Sequence, residues 1–201
     1  MLRTNIRYAQ MRKDIQSLLV TSAMPSEGKT TTVTNLAVAM AQSGKKVLLI
    51  DCDLRKPSLH KVFPISNHRG LTNVLMNEVA IEDTVQEVRE AGLDVIPSGP
   101  IPPTPSELLG SEEMVNFLTR CKALYDTVLM DTPPLLPLPD GLELAKRVDG
   151  VLLVLRAGKV LRENAKKAKK LLDHVGSNVV GTVLNDKKVK KKDIYQYHDG
   201  S

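Results

Sequence analysis

Runs of aliphatic residues, unbroken by the polar alternation of a half-exposed strand, recur along this 201-residue chain. "SLLVTSA" (17–23), "KVLLIDCD" (46–53), "YDTVLMD" (125–131), "DGVLLVLRAG" (149–158) and "NVVGTVLND" (178–186) read as strands, and "LDVIPSG" (93–99) as a strand leaving into a loop. Such strands must be covered on both faces. The segments between them have helical character. Thr30 to Gly44 reads as a helix with Gly44 as its stop. Residues 70–78 suit a short helix, the Pro-rich break 101–107 precedes a helix running to about Cys121, and a Lys-rich helix follows from about Val160 to His174. This alternation predicts an α/β fold, a mostly parallel sheet flanked by helices on both faces. "TPPLLPLPD" (132–140) holds too much proline for a sheet interior. There is no internal repeat and no linker. The expected division is one domain over residues 1–186 and a flexible Lys- and Tyr-rich tail over 187–201.

Aromatic residues make up 3% of the chain, so the core must be aliphatic. The formal charge is +5, and the lysines crowd into "NAKKAKKLL" (164–172) and "KKVKKK" (187–192). A solvated helix face and a soluble tail account for such runs. Attraction to an anionic membrane leaflet or an acidic partner is the sharper reading. Nucleic acid is not an expected partner, because no basic groove with interleaved aromatics is present. Cys52 and Cys121 belong to no CxxC pair and suit buried, reduced thiols in a cytoplasmic chain. The N-terminal "MLRTNIRYAQMRKD" has no apolar core of a signal peptide, and no apolar run approaches the ~20 residues of a membrane span. Any membrane role is therefore expected to come through a partner or a surface contact. His60, His68, His174 and His198 are scattered without metal-site spacing.

"AMPSEGKTT" (23–31) follows a strand and opens a helix, the context a phosphate-binding loop requires. Pro25, Ser26, Glu27, Gly28, Lys29, Thr30 and Thr31 are its candidate binding residues. The helix N-terminus offers free N–H groups and partial positive charge, and Gly28 allows close backbone approach. Lys29 can reach β- and γ-phosphates as a point charge, and the Thr30 hydroxyl can ligate Mg²⁺. Ala23 stands in place of the usual first glycine. In "LLIDCDLRKP" (48–57), Asp51 and Asp53 lie two apart and share one face of a strand, with Cys52 on the other. A carboxylate pair ending an apolar strand calls for a cation. Asp131 ends "TVLMD" in the manner of a Walker B strand, near the Mg²⁺. Asn185, near the end of the last strand, could pair its amide with the edge of adenine or close a turn.

From "LRTNIRYA" through "SAMPSEGKTT", "DCDLRKP", "DTPP" and "VDGVLLVLRAG" to "VLN", nearly the whole chain resembles the bacterial tyrosine kinases of capsular and exopolysaccharide synthesis. The resemblance implies an ATP- and Mg²⁺-dependent phosphotransferase acting on protein tyrosine, with Lys29, Thr30, Asp51, Asp53 and Asp131 on the family's motif positions. It implies a C-terminal tyrosine cluster, here Tyr195 and Tyr197, phosphorylated between neighbours in a ring. It further implies activation by the cytoplasmic segment of a membrane-bound polysaccharide co-polymerase, in the separate-chain arrangement, at the inner face of the cell membrane. Arg3 matches the last arginine of the family's ring-building E-x-x-R-x-x-R stretch. The Glu and first Arg of that stretch would precede Met1, so weakened ring assembly or a trimmed sequence is expected. A tyrosine hydroxyl, with a pKa of about 10, needs a base to attack. Asp51 is the expected base, with Asp53 holding Mg²⁺ or orienting the hydroxyl. The competing readings are a partitioning-type ATPase that switches a dimer and a nucleotide-binding module without catalysis. Met24, where the partitioning ATPases carry Lys, and the tail tyrosines speak against the ATPase. The intact site motifs speak against the module.

Overall fold

The computed structural model describes residues 2–12 and 15–187. Its strands are β1 (Ser17–Ser22), β2 (Val47–Asp51), β3 (Gln86–Val88), β4 (Leu93–Ile96), β5 (Thr127–Asp131), β6 (Gly150–Arg156) and β7 (Val179–Asn185). They form one sheet in the order β3-β4-β2-β5-β1-β6-β7. Every neighbouring pair is parallel except the edge pair β3–β4. The helices are α1 (Leu2–Arg12), α2 (Lys29–Ala41), α3 (Leu59–Val62), α4 (Leu71–Leu75), α5 (Pro105–Leu109), α6 (Glu112–Leu124), α7 (Asp140–Ala145) and α8 (Arg162–His174).

The expected α/β sandwich is therefore present, and the reason lies in the strands. β1, β2 and β5 are buried at every position. Successive side chains point to opposite faces, so each strand feeds two cores. Leu18, Val20, Leu49, Leu129 and Val154 pack with Ile6 of α1 and Val33, Leu36 and Met40 of α2. Leu19, Leu48, Ile50, Met130 and Leu153 pack on the other face with Met114 and Phe117 of α6, Leu144 of α7 and Leu172 of α8. The core is aliphatic but for Phe63, Phe117 and Tyr125, in keeping with the scarcity of aromatics.

Three local features depart from the sequence reading. The helix expected to run to Cys121 is two helices, α5 and α6, interrupted at Gly110 and Ser111. Ser111 restarts the chain as the N-cap of α6, accepting from the Met114 N–H, and Glu112 and Glu113 follow in the first turn, where the helix dipole favours them. α7 begins at Asp140, directly after the Pro-rich stretch. β3 is a three-residue antiparallel strand with only Val88 buried, too short to carry a periodic signal. On α8 only Ala168 and Leu172 are buried, and Lys166, Lys167, Lys169 and Lys170 form a solvated face. Cys52 and Cys121 are both free and buried. Among the described residues no helix is long and apolar enough to cross a membrane. From residue 188 onward the expected tail lies outside the described residues.

Parallel pairing carries the C-terminal ends of the central strands to one edge of the sheet, where ligands bind in open α/β sheets. The register sets Asp51 of β2 beside Asp131 of β5, and Val20 of β1 also beside Asp131. Leu129, wholly buried at the centre of this sheet, anchors that register. Leu129→Ala should destabilise the fold by about 2–5 kcal/mol, measurable as a lower urea midpoint.

Candidate active site

The loop between β1 and α2 is shaped by two left-handed residues, Ser26 (φ 63°) and Gly28 (φ 91°). Gly28 is required twice over. Its φ lies where a side chain is strained, and a Cβ there would collide with the Asn185 side chain. Glu27 turns inward and is buried, and its Oε2 accepts the Met24 N–H at 2.8 Å. Two strand ends hold the loop from outside. Asn185 Nδ2 donates to the Glu27 carbonyl at 3.1 Å, and Arg156 Nη1 donates to the Ser26 carbonyl at 3.2 Å. Arg156 also pairs with Asp186 at 2.6 Å. The N-terminus of α2 has no side-chain cap and no acidic residue in its first turn, so its partial positive charge is left for a ligand. Pro25 and Thr31 are exposed at the rim, while Lys29 and Thr30 are half-buried.

Facing this loop, Asp51, Asp53 and Asp131 are all buried, at 0%, 5% and 0% exposure. Lys29 Nζ lies 3.6 Å from Asp53 Oδ2. Thr30 Oγ1 donates to Asp131 Oδ2 at 2.6 Å. The other Asp131 oxygen, Oδ1, is buried without a hydrogen-bond partner among the described residues. Asp51 is held differently. Its Oδ1 accepts the Asp53 N–H at 3.2 Å, and its Oδ2 accepts the N–H groups of Ser58 and Leu59 at 2.8 and 2.9 Å. Asp53 Oδ1 accepts the Lys56 N–H at 3.0 Å. One carboxylate of the pair thus organises the loop after β2, and the other reaches toward the lysine.

Burial and the neighbouring carboxylates push the Asp131 pKa up to about 7, against the opposing pull of Lys29 and Thr30. Burial also raises the Asp51 pKa, and its backbone hydrogen bonds offset only part of the rise. A buried acidic group served by one lysine is short of positive charge. The residues therefore fit a divalent cation, with the Thr30 hydroxyl and the orphaned Asp131 Oδ1 as the open donors. Among the described residues no three His, Cys, Asp or Glu side chains come together as a complete metal cage. Mg²⁺ binds through one or two carboxylates and takes its remaining ligands from water and phosphate, and the open donors of Thr30 and Asp131 fit that demand.

A second charged cluster, joining Arg55 of "DCDLRKP" to residues outside the motifs, steadies the site. Arg55 donates through Nε to Asp140 Oδ2 at 2.6 Å and through Nη2 to Asp140 Oδ1 at 3.1 Å. Ser106 bonds both partners. Burial acts to raise the Asp140 carboxyl, but the Arg55 and Ser106 hydrogen bonds outweigh it and hold the pKa below the ordinary carboxylate value. The clamp ties the loop after β2 to the start of α7. Arg55 lies within the "DCDLRKP" stretch that carries the resemblance, whereas Asp140, Ser106 and Arg156 went unmarked. A cation ending the apolar run of β6 was the available signal for Arg156. The candidate acceptors Tyr195 and Tyr197 lie outside the described residues.

A glycine-bearing loop that delivers a helix N-terminus and a lysine to buried carboxylates on neighbouring strand ends defines a P-loop nucleotide-binding protein, a class that binds nucleotide with a divalent metal. A family model described as "AAA domain" matches residues 26–160. The tyrosine-protein kinase YwqD of Bacillus subtilis is 47% identical over 197 residues, covering 98% of this chain and 83% of its own length. The solved kinase domain of the Escherichia coli tyrosine kinase ETK superposes with a TM-score of 0.88 at 35% identity, covering 94% of this chain and 76% of that one. The chain belongs to the bacterial tyrosine-protein kinase family. Its likeness to the septum site-determining protein MinD of Pyrococcus horikoshii, solved with Mg-ADP, covers 92% of this chain and 78% of that one. At 21% identity and a TM-score of 0.73, that likeness is one of fold alone.

Because Asp131 has a folded pKa well above its unfolded value, the folded state binds more protons than the unfolded one between pH 4 and 7. Its stabilising protonation is present below the unfolded pKa and lost as pH rises through about 7. Stability without nucleotide should therefore decline across that window. Asp131→Asn should flatten the decline in part, leaving the share due to Asp51, as read by denaturation at pH 4, 6 and 8.

Proposed function

We propose that this protein uses ATP and Mg²⁺ to phosphorylate protein tyrosines, its own Tyr195 and Tyr197 among them, and so regulates capsular or exopolysaccharide synthesis and export. The observation that carries the reading is the meeting of the phosphate loop with buried carboxylates, one oxygen of which is unpartnered, in a chain of the tyrosine-kinase family. In this reading residues 1–186 are the kinase domain and 187–201 the acceptor tail. The family resemblance further supports activation by the cytoplasmic segment of a membrane-bound polysaccharide co-polymerase. It supports a homo-oligomeric ring and recruitment to the inner face of the cell membrane through that partner.

Each residue has a task that follows from its position. The α2 N–H groups and the Pro25–Thr31 loop bind the nucleotide phosphates, and the Asn185 amide is assigned to the edge of the base. Lys29 neutralises charge on the γ-phosphoryl group as the bond to its leaving oxygen breaks. Mg²⁺, when bound, would offset the charge of the nucleotide phosphates. Thr30, Asp131 and Asp53 would hold it, while Asp53 keeps Lys29 in place. Asp51 takes the phenolic proton. Burial raises its proton affinity, which favours a base, and the Ser58 and Leu59 N–H groups must release its Oδ2 for the transfer. Most of the acceleration comes from positioning, since phosphoryl transfer requires little covalent chemistry from the protein.

Lys29→Met should reduce tyrosine phosphorylation by at least about a hundredfold while leaving the fold intact, checked by anti-phosphotyrosine blot alongside circular dichroism. Full activity in the purified variant would sink the assignment. Mg-ATP with phosphate release but no phosphotyrosine would favour the partitioning-type ATPase instead. Mixing Lys29→Met chains with Tyr195→Phe/Tyr197→Phe chains should label the kinase-dead chain if transfer runs between copies.

A further inference from the structure

A cavity of about 530 Å³ opens beside the buried carboxylates, and nothing in the nucleotide reading uses it. Arg55, Lys56, His60, Lys61, Asn67 and Ile101 line it. The sequence from Leu54 to Asn77 holds Arg55, Lys56, Lys61 and Arg69 and no acidic residue at all. Arg55 is committed to Asp140. Lys56 and Lys61 are exposed and pair with no carboxylate among the described residues. His60 adds an Nδ1 that is buried without a partner among the described residues. Ile101, 64% exposed, gives the cavity an apolar lip.

The place of this cavity along the sheet edge gives it a direction. Strand order sets Asn185, the phosphate loop, Asp131 and Asp51 in a row across β7, β1, β5 and β2. β4 comes next, and the loop leaving it supplies Gly99, Pro100 and Ile101 to the cavity wall. A nucleotide with its base at Asn185 and its last phosphate near Asp131 presents its transferable end toward β2 and β4. An acceptor must then arrive over the basic cavity. The segment that lines the cavity is also tied to the reacting carboxylates: Lys56 N–H donates to Asp53, and Ser58, which follows the lining residue Pro57, donates its N–H to Asp51.

We propose that this cavity is an acceptor-side subsite that binds a carboxylate flanking the tyrosine to be phosphorylated. The proposal rests on the kinase reading and names its substrate class, peptides with an acidic residue close to the acceptor. The segment 193–199 of this sequence, "DIYQYHD", fits it. Asp193 lies two residues before Tyr195, and Asp199 two after Tyr197. Two residues of extended chain reach about 7 Å, enough to set one side chain at the carboxylates and the next on the cavity. An acidic peptide approaching three aspartates alone would be repelled. Lys56 and Lys61 offset that repulsion and fix which flank enters first.

The test compares two synthetic peptides, DIYQYHDGS and the same sequence with Asp193→Asn and Asp199→Asn, as substrates of the full chain. The wild type should use the acidic peptide about tenfold better in kcat/KM at low salt, mainly through KM, and the advantage should shrink as salt rises. The Lys56→Ala/Lys61→Ala variant should lose the discrimination to within about twofold, and Lys56→Arg/Lys61→Arg should restore it. Equal use of both peptides by the wild type overturns the subsite and leaves the kinase reading standing. Undiminished discrimination in the alanine variant does the same. No phosphotyrosine on either peptide overturns the kinase reading, and the subsite with it.

Discussion

The organisation of this protein depends on an electrostatic imbalance at one edge of its sheet. Three buried aspartates stand close together with one lysine among them, and one carboxylate oxygen has no partner among the described residues. Burial makes each ionised carboxylate costly. The parallel sheet creates the imbalance, because in-register pairing of β2 with β5 leaves Asp51 and Asp131 no choice but to end side by side. A cation and the phosphates it accompanies would relieve it, so the resting molecule is primed for a ligand of that charge pattern.

Much of this was legible in the chain itself. Strands with no polar face, such as Val47–Ile50 and Val128–Met130, admit one architecture, and the sheet has it. Asp51 and Asp131 were legible because they end such strands; Asp53 was legible from its spacing, although β2 stops at Asp51 and leaves Asp53 in the loop after it rather than on a shared strand face. Other features escaped for physical reasons. Val88 alone cannot announce an edge strand, because one buried residue has no period. The break between α5 and α6 rests on Gly110 and Ser111, whose capping is visible only once the Met114 N–H is found to need an acceptor. Asp140 and Ser106 are ordinary loop and helix-start residues until the fold brings Arg55 to them across 85 and 51 positions of sequence.

The same contacts separate residues that one motif would have grouped together. Asp51 and Asp53 look equivalent in "DCD", yet Asp51 is tied by three backbone N–H groups and Asp53 reaches Lys29. The first is coupled to the loop that follows it, so any shift of Ser58 or Leu59 is felt at the carboxylate. Arg55 extends the coupling to α7 through Asp140. The loop after β2 is thus braced on both sides.

The hydrogen bond from Asn185 to the Glu27 carbonyl joins positions 158 residues apart. Contacts of such long range form late, after loop-closure entropy has been met by other interactions. The phosphate loop is therefore written near the start of the chain but finished by its last strand. A folding intermediate with β1 and α2 in place and β7 still undocked would carry the complete motif and an incomplete site. Such a species would lack the bond from Asn185 that the complete sheet supplies to the loop.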